Sequence, residues 1–106
     1  MIRITFITMD GKPAAVAAVA GASLMETAIR HGVAGIEAEC GGACSCATCH
    51  VYVDPAWRGR VGDPDAMEAD MLEMAYEVTS QSRLACQIRV TPALDGLTVR
   101  LPARQA

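Results

Sequence analysis

Aromatic residues, lysines and long apolar runs are all scarce in this chain of 106 residues. Only four residues are aromatic, one lysine stands among nine basic residues, and the formal net charge is −3. Proteins that bind nucleic acids usually carry clustered positive charge, so the composition excludes that class. No apolar run is long enough to cross a bilayer, and Met1 leads directly into an alternating stretch rather than a leader peptide. We therefore expect a cytoplasmic protein with neither nucleic acid nor membrane as a partner.

The length predicts one domain spanning residues 1–106. Because 52% of the residues are hydrophobic but few are aromatic, the core must consist mainly of aliphatic side chains. A core of this size stabilises a chain only marginally, and a bound metal centre would add to that stability.

Hydrophobic patterning predicts five strands and two helices. The order is two strands, helix, cysteine-rich loop, strand, helix, two strands, which is a mixed α+β pattern rather than a regular alternation. The predicted strands cover residues 2–9, 13–19, 51–53, 88–91 and 97–101. The glycine-rich stretch 35–49 is predicted to be a functional loop, and the stretch 58–65 to be irregular.

Turn and cap signals set the boundaries of these elements. Asp10-Gly11 is a hairpin signal, and Ser23 with Glu26 forms a capping box that begins the first helix. Gly32 is placed to end this helix. Its predicted apolar side comprises Leu24, Ala28 and Ile29. The second helix begins at Asp65, and its predicted apolar face comprises Met67, Met71, Met74, Ala75 and Val78.

Five cysteines carry the clearest chemical signal. Cys40, Cys46 and Cys49 follow the spacing C-x5-C-x2-C, and Cys86 lies 37 positions after Cys49. Thiolate sulfur is a soft ligand that suits iron–sulfur clusters or zinc, and each iron of a [2Fe–2S] cluster needs two thiolates. Cys44 is surplus in this assignment. The odd number and the clustering of the cysteines argue against a secreted disulfide framework.

The residues around the cysteines fit a cluster. Side chains at Gly41 and Gly42 would hold the backbone away from it, whereas glycines let N–H groups approach the sulfurs and raise the reduction potential. Zinc remains an alternative, although structural zinc sites more often use two C-x2-C pairs. A redox pair formed by Cys46 and Cys49 is a further alternative.

The run Cys-Gly-Gly-x-x-x-Cys-Ala-Thr-Cys-His-Val closely resembles the adrenodoxin- and putidaredoxin-type ferredoxins. Matching segments, including Ser82-Arg83-Leu84 and Cys86-Gln87-Ile88, extend the resemblance over nearly the whole chain. The five-residue first gap differs from the plant-type gap of four. The resemblance implies a β-grasp ferredoxin fold with one [2Fe–2S] cluster. It also implies an electron carrier rather than an enzyme.

The resemblance also implies partners and supporting residues. The electron donor would be an FAD-containing ferredoxin reductase, and the acceptor a cytochrome P-450 or another oxygenase, with the chain acting as a monomer. An alternative is a ferredoxin that supplies electrons for iron–sulfur cluster assembly, and a second is a zinc-stabilised binding module. His50, with Tyr76 or Glu73 as its partner, would link the cluster loop to the second helix, and Arg83 would be a structural tether.

Six of the twelve acidic residues, and no basic residue, lie between Gly62 and Val78. On a helix, Asp70, Glu73 and Glu77 would form one exposed stripe. The resemblance implies that Asp70 and Glu73, helped by Glu68, bind basic patches on both partners. It assigns Glu39 to the same interface. The family's putidaredoxin ends in an aromatic residue, but this chain ends in Arg104-Gln105-Ala106, so any contact made by the tail must differ.

Overall fold

The computed structural model describes residues 2–33 and 49–103. A five-stranded mixed sheet has the order β2-β1-β5-β3-β4. Its strands and helices are β1 (Ile2–Ile7), β2 (Pro13–Ala18), α1 (Leu24–Arg30), β3 (His50–Val53), α2 (Arg58–Val61), α3 (Ala66–Leu72), β4 (Ser82–Leu84) and β5 (Thr98–Arg100). Three short 3₁₀ turns lie at Pro55–Trp57, Ala85–Gln87 and Pro92–Leu94. Within the described ranges, no helix has both the length and the apolar character needed to span a bilayer.

Local signals place the first half of the fold. The turn at Gly11, which has a φ of 85°, joins β1 and β2 into an antiparallel hairpin. The Ser23 hydroxyl accepts a hydrogen bond from the Glu26 N–H, and the Glu26 side chain accepts one from the Ser23 N–H, so the capping box is complete. Gly32, at a φ of 67°, follows the end of α1. These three predictions are confirmed.

Strand β5 joins the two halves of the sheet. It pairs in parallel with β1 and antiparallel with β3, so it lies in the middle of the sheet although it is the last strand along the chain. The buried core lies beneath this centre and is largely aliphatic, with Ile4, Leu24, Leu97 and Val99 fully buried beside Phe6. The mixed sheet with its packed helices confirms the α+β class.

Several predicted details are wrong. Ile29 is exposed and does not belong to the buried side of α1. The second helix ends at Leu72, and Glu77 has a φ of 48°, so the apolar and acidic stripes do not continue as a helix to Val78. The predicted irregular stretch 58–65 contains the short helix α2.

The closing strands also differ from the prediction. Residues 88–91 form a single bridge, between Arg89 and Ser23, rather than a strand. The unpredicted strand β4 instead supplies the edge of the sheet. The segment after β4 is tied to the start of α1, because Leu24 donates to the Ile88 carbonyl (2.9 Å) and Val90 donates to the Ala22 carbonyl (2.8 Å).

Candidate metal centre

Two of the four predicted ligands meet at one end of the β3–β4 pair. His50 lies opposite Leu84 in the antiparallel register, and the Ala85 N–H donates to the Cys49 carbonyl at 2.8 Å, so pairing continues one step past the strand ends. Cys86 follows in the turn Ala85–Gln87. Both cysteines are buried.

The backbone holds Cys86 from two sides. Strand β4 precedes its turn, and the backbone hydrogen bonds that join Ile88 and Val90 to the start of α1 follow it. Two buried thiols on fixed backbone suit a centre that needs soft anionic ligands and little exposure to water. Cys40, Cys44 and Cys46 lie outside the described residues, as do Gly41, Gly42 and Glu39.

His50 is fully buried beside Cys49. Its Nε2 lies 2.8 Å from Ser82 Oγ, with which it shares a hydrogen bond, and Ser82 Oγ also accepts from the Thr79 N–H at 2.9 Å. The described contact runs to β4 and its preceding loop. A link from His50 to Tyr76 or Glu73 stays a prediction. Burial lowers the pKa of His50 to about 4, so the imidazole is neutral at pH 7 and adds no positive charge at this site.

Arg83 and Glu68 form a buried ion pair. Arg83 Nε donates to Glu68 Oε2 at 2.6 Å and Nη2 donates to Oε1 at 2.9 Å, which gives the bidentate geometry that guanidinium and carboxylate favour. The Leu84 N–H also donates to Glu68 Oε2, at 2.9 Å. Glu68 is 1% exposed, so its predicted role on the partner surface is wrong. Its carboxylate instead fastens α3 to β4.

Arg83 also reaches the segment before α3, and its Nη2 donates to the Gln87 carbonyl at 3.5 Å. Nη1 donates to the carbonyls of Val61 (3.1 Å) and Gly62 (2.9 Å). The Arg83 guanidinium thus joins α2, α3 and β4. Arg83 itself lies two residues before the start of the turn that contains Cys86. These contacts are those of a structural tether.

Asp70 and Glu73 are exposed, at the end of α3. Across the described parts of the chain, neither takes part in an ion pair. Asp63, which is also exposed, does form an ion pair: its Oδ1 lies 3.3 Å from Arg58 Nη2. The two acids therefore present uncompensated charge on a helix whose other side is fastened to β4, the strand that precedes Cys86.

A family model described as a 2Fe-2S iron-sulfur cluster binding domain matches residues 7–91. The chain belongs to the [2Fe–2S] ferredoxin family. It is 50% identical over 105 residues to ferredoxin CarAc of a Sphingomonas species, with 99% of this chain and 96% of the relative covered. It is 42% identical to putidaredoxin of Pseudomonas putida, with 99% of both chains covered.

A solved structure of the covalent putidaredoxin reductase–putidaredoxin complex contains a 41% identical chain that superposes with a TM-score of 0.91. The superposition covers 96% of this ferredoxin and 99% of that chain. The resemblance drawn from the sequence is therefore confirmed, as is the β-grasp fold. The ferredoxin carries one [2Fe–2S] cluster and acts as an electron carrier rather than an enzyme.

Gln87 is a residue of this ferredoxin's site that the sequence did not single out. Its side-chain amide donates to Cys86 Sγ at 3.4 Å. A donor to a ligand sulfur stabilises negative charge there and so favours the reduced cluster. Its position directly after a predicted ligand is the only sequence signal, and the contact itself depends on the turn that follows β4.

Tyr52 supports the segment between α3 and β4. Its hydroxyl lies 2.7 Å from the Glu77 carbonyl, to which it donates, and 3.3 Å from that of Tyr76. Arg100 lies over its ring, at 5.5 Å from the centroid. Since a left-handed φ is uncommon at a non-glycine residue, the hydroxyl stabilises an otherwise unfavourable turn at Glu77. Tyr76 contributes its carbonyl to this arrangement.

We expect Tyr52→Phe to lower the free energy of unfolding by about 1 kcal/mol, because one hydrogen bond is lost while the ring and its Arg100 contact remain. Amide hydrogen exchange should accelerate at residues 76–79 and stay unchanged in the β1–β2 hairpin, which serves as the internal control. Unchanged exchange at Glu77 would show that the hydroxyl does not hold the turn.

Proposed function

We propose that this ferredoxin transfers single electrons from an FAD-containing ferredoxin reductase to a cytochrome P-450 or another oxygenase, as a cytoplasmic monomer. One structural observation carries the proposal. Glu68 and Arg83 fasten α3, which bears the exposed acids Asp70 and Glu73, directly to the strand that precedes Cys86. The acidic surface and the metal centre are thereby held at a fixed distance from each other, so a partner that binds the acids is also placed near the centre that gives or accepts the electron.

The proposed ligands are Cys40, Cys46, Cys49 and Cys86. The two that are described are buried at one end of β3 and β4, and the other two complete the C-x5-C-x2-C spacing. The cluster supplies a centre that accepts and releases one electron. The chain excludes water from Cys49 and Cys86 and provides the Gln87 amide as a donor to sulfur. N–H groups near Gly41 and Gly42 are proposed as further donors.

Charge supports a basic partner. Four thiolates add four negative charges and the oxidised core two positive ones, so the formal charge of −3 becomes −5, and reduction makes it −6. A negative carrier associates rapidly with a positive surface and dissociates readily at moderate salt. The proposed docking acids are Asp70, Glu73 and Glu39. Glu68 is excluded because its carboxylate is buried.

Stopped-flow reduction tests this function. The cluster-loaded ferredoxin is mixed with pre-reduced putidaredoxin reductase, and bleaching of the visible cluster absorption is followed across a salt series. We expect reduction whose rate falls as salt increases. Asp70→Asn with Glu73→Gln should slow the second-order rate at low salt by about ten-fold and flatten the salt dependence, because exposed charges act mainly on association.

The visible spectrum and iron content of the double variant should match wild type, since both acids lie outside the cysteine ligands. Asp10→Asn, on the β1–β2 hairpin, is the matched control and should retain the wild-type rate. Absence of bleaching in a run where putidaredoxin itself is reduced would contradict the reductase assignment. A double variant as fast as wild type at low salt would remove Asp70 and Glu73 from the docking surface.

A further inference from the structure

Exposed apolar side chains are concentrated beside the acids of α3. In the described part of the chain, half of the large apolar residues that are strongly exposed lie in one twelve-residue segment: Met67, Met74 and Val78. Met67 is 63% exposed and Met74 is 65% exposed. Single exposed apolar residues are ordinary on a protein surface, but a contiguous group indicates a contact with another molecule.

The methionines form a strip along one side of α3. Met71, which is half-buried, lies one helical turn after Met67. The chain keeps a helical course past Leu72, since the Met74 N–H donates to the Met71 carbonyl and the Ala75 N–H to the Leu72 carbonyl, both at 3.0 Å. Met67, Met71 and Met74 are called the methionine strip below.

The ion pair in the core holds this strip towards solvent. An apolar stripe on a surface helix normally faces the core. Here the buried side of α3 is instead formed by Glu68 and Leu72, and Glu68 is fixed by two hydrogen bonds from Arg83 and one from the Leu84 N–H. Turning Met67 and Met74 inward would break these three bonds, so their exposure is a fixed property of the fold.

The acidic residues around the methionine strip indicate which kind of molecule can bind to it. Asp70 lies one helical turn from both Met67 and Met74, and the segment from Gly62 to Val78 has six acids and no base. A second copy of this chain would bring like charges together. A protein surface with an apolar depression bordered by arginine or lysine would satisfy both the methionines and the acids.

We infer that the methionine strip is the apolar contact through which this ferredoxin binds its basic reductase, an inference that rests on the proposed function. The acids bring the partners together, and the methionines determine how long they stay together. Methionine suits this role because its flexible thioether side chain adapts to differently shaped surfaces.

The test is the Met67→Gln, Met74→Gln double variant, which keeps side-chain length and helix propensity but removes apolar surface. Association and dissociation rates with putidaredoxin reductase are measured at low and high salt. Dissociation should become about ten-fold faster, as expected when two partly buried methionine contacts are lost. The association rate and its salt dependence should stay at wild-type values, in contrast to Asp70→Asn with Glu73→Gln.

Met9→Gln is the matched control, because Met9 is 69% exposed on the β1–β2 hairpin, which forms the opposite edge of the sheet from β4. A strip variant that dissociates no faster than wild type and Met9→Gln would overturn the inference while leaving the proposed function intact. If wild type is not reduced by the reductase, the proposed function and this inference fail together. Sedimentation that shows a wild-type dimer, lost in the strip variant, would assign the strip to a second copy and also overturn the inference.

Discussion

The Cys86→Ser variant is expected to purify without its cluster, with iron content falling from two atoms per chain to nearly none. Serine offers a harder, less acidic oxygen in place of the soft thiolate that iron–sulfur clusters require. Cys86 is buried and its turn is held by β4 on one side and by the start of α1 on the other, so the serine oxygen would stay where the thiolate was. Iron analysis and visible absorption measure the loss.

The same loss is expected for Cys40→Ser, Cys46→Ser and Cys49→Ser. Cys44→Ser is the matched control, since it removes a thiol from the same loop but breaks neither the x5 nor the x2 spacing. It should retain full iron content and the wild-type spectrum. Loss of iron in Cys44→Ser together with retention in Cys46→Ser would overturn the ligand assignment.

Glu68→Gln is expected to lower the free energy of unfolding by about 3–5 kcal/mol, because it leaves the buried Arg83 guanidinium without its counter-charge. The loss is large for a chain of this size, whose total stability is on the order of 5–15 kcal/mol. Urea unfolding followed by far-ultraviolet circular dichroism measures it. Cluster absorption recorded alongside should disappear at lower urea than in wild type, since α3 is no longer fastened to the strand before Cys86.

A double replacement separates the ion pair from simple packing. Glu68→Leu with Arg83→Met removes both charges together, so it should destabilise less than the sum of the two single changes. Glu73→Gln, an exposed acid at the end of the same helix, should shift stability by less than about 0.5 kcal/mol. Additive losses in the double variant would show that the two side chains act independently.

Local chemistry made much of the fold predictable. The Asp10-Gly11 turn and the Ser23 capping box depend on neighbouring residues alone, so both appear in the structure where the sequence placed them. The cysteine spacing is equally local and identified the class of metal centre. The resemblance to adrenodoxin-type ferredoxins then supplied the β-grasp topology, which these local signals do not determine.

The second helix shows where local reasoning fails. Periodicity groups residues on a face, but it does not establish which face is buried. The methionine positions had the helical spacing of a core face, yet Glu68 occupies the interior because it pairs with Arg83, fifteen residues away. An ion pair between distant residues has no periodic signature, so the exposed strip and the buried carboxylate could both be recognised only in three dimensions.

Short elements could not be predicted from the sequence, for a related reason. Strand β4 has three residues, two of them the polar Ser82 and Arg83, and gives no alternating apolar pattern. The apolar residues Ile88 and Val90 do alternate, but their backbone bonds go to the start of α1 rather than to a neighbouring strand. The contact between the Gln87 amide and the Cys86 sulfur depends on the course of this backbone segment, so it could not be recognised from the sequence either.

Strand β5 sets the order of events during synthesis of the protein. A ribosome delivers the chain from its N-terminus at about 5–20 residues per second, so the β1–β2 hairpin and both described cysteines are made before residues 98–100. In the described sheet, β5 lies between the hairpin and strands β3 and β4, next to which Cys49 and Cys86 lie. In a nascent ferredoxin the hairpin and strands β3 and β4 therefore cannot yet join into one sheet, and the sheet beside the two thiols is completed only after residues 98–100 have been translated.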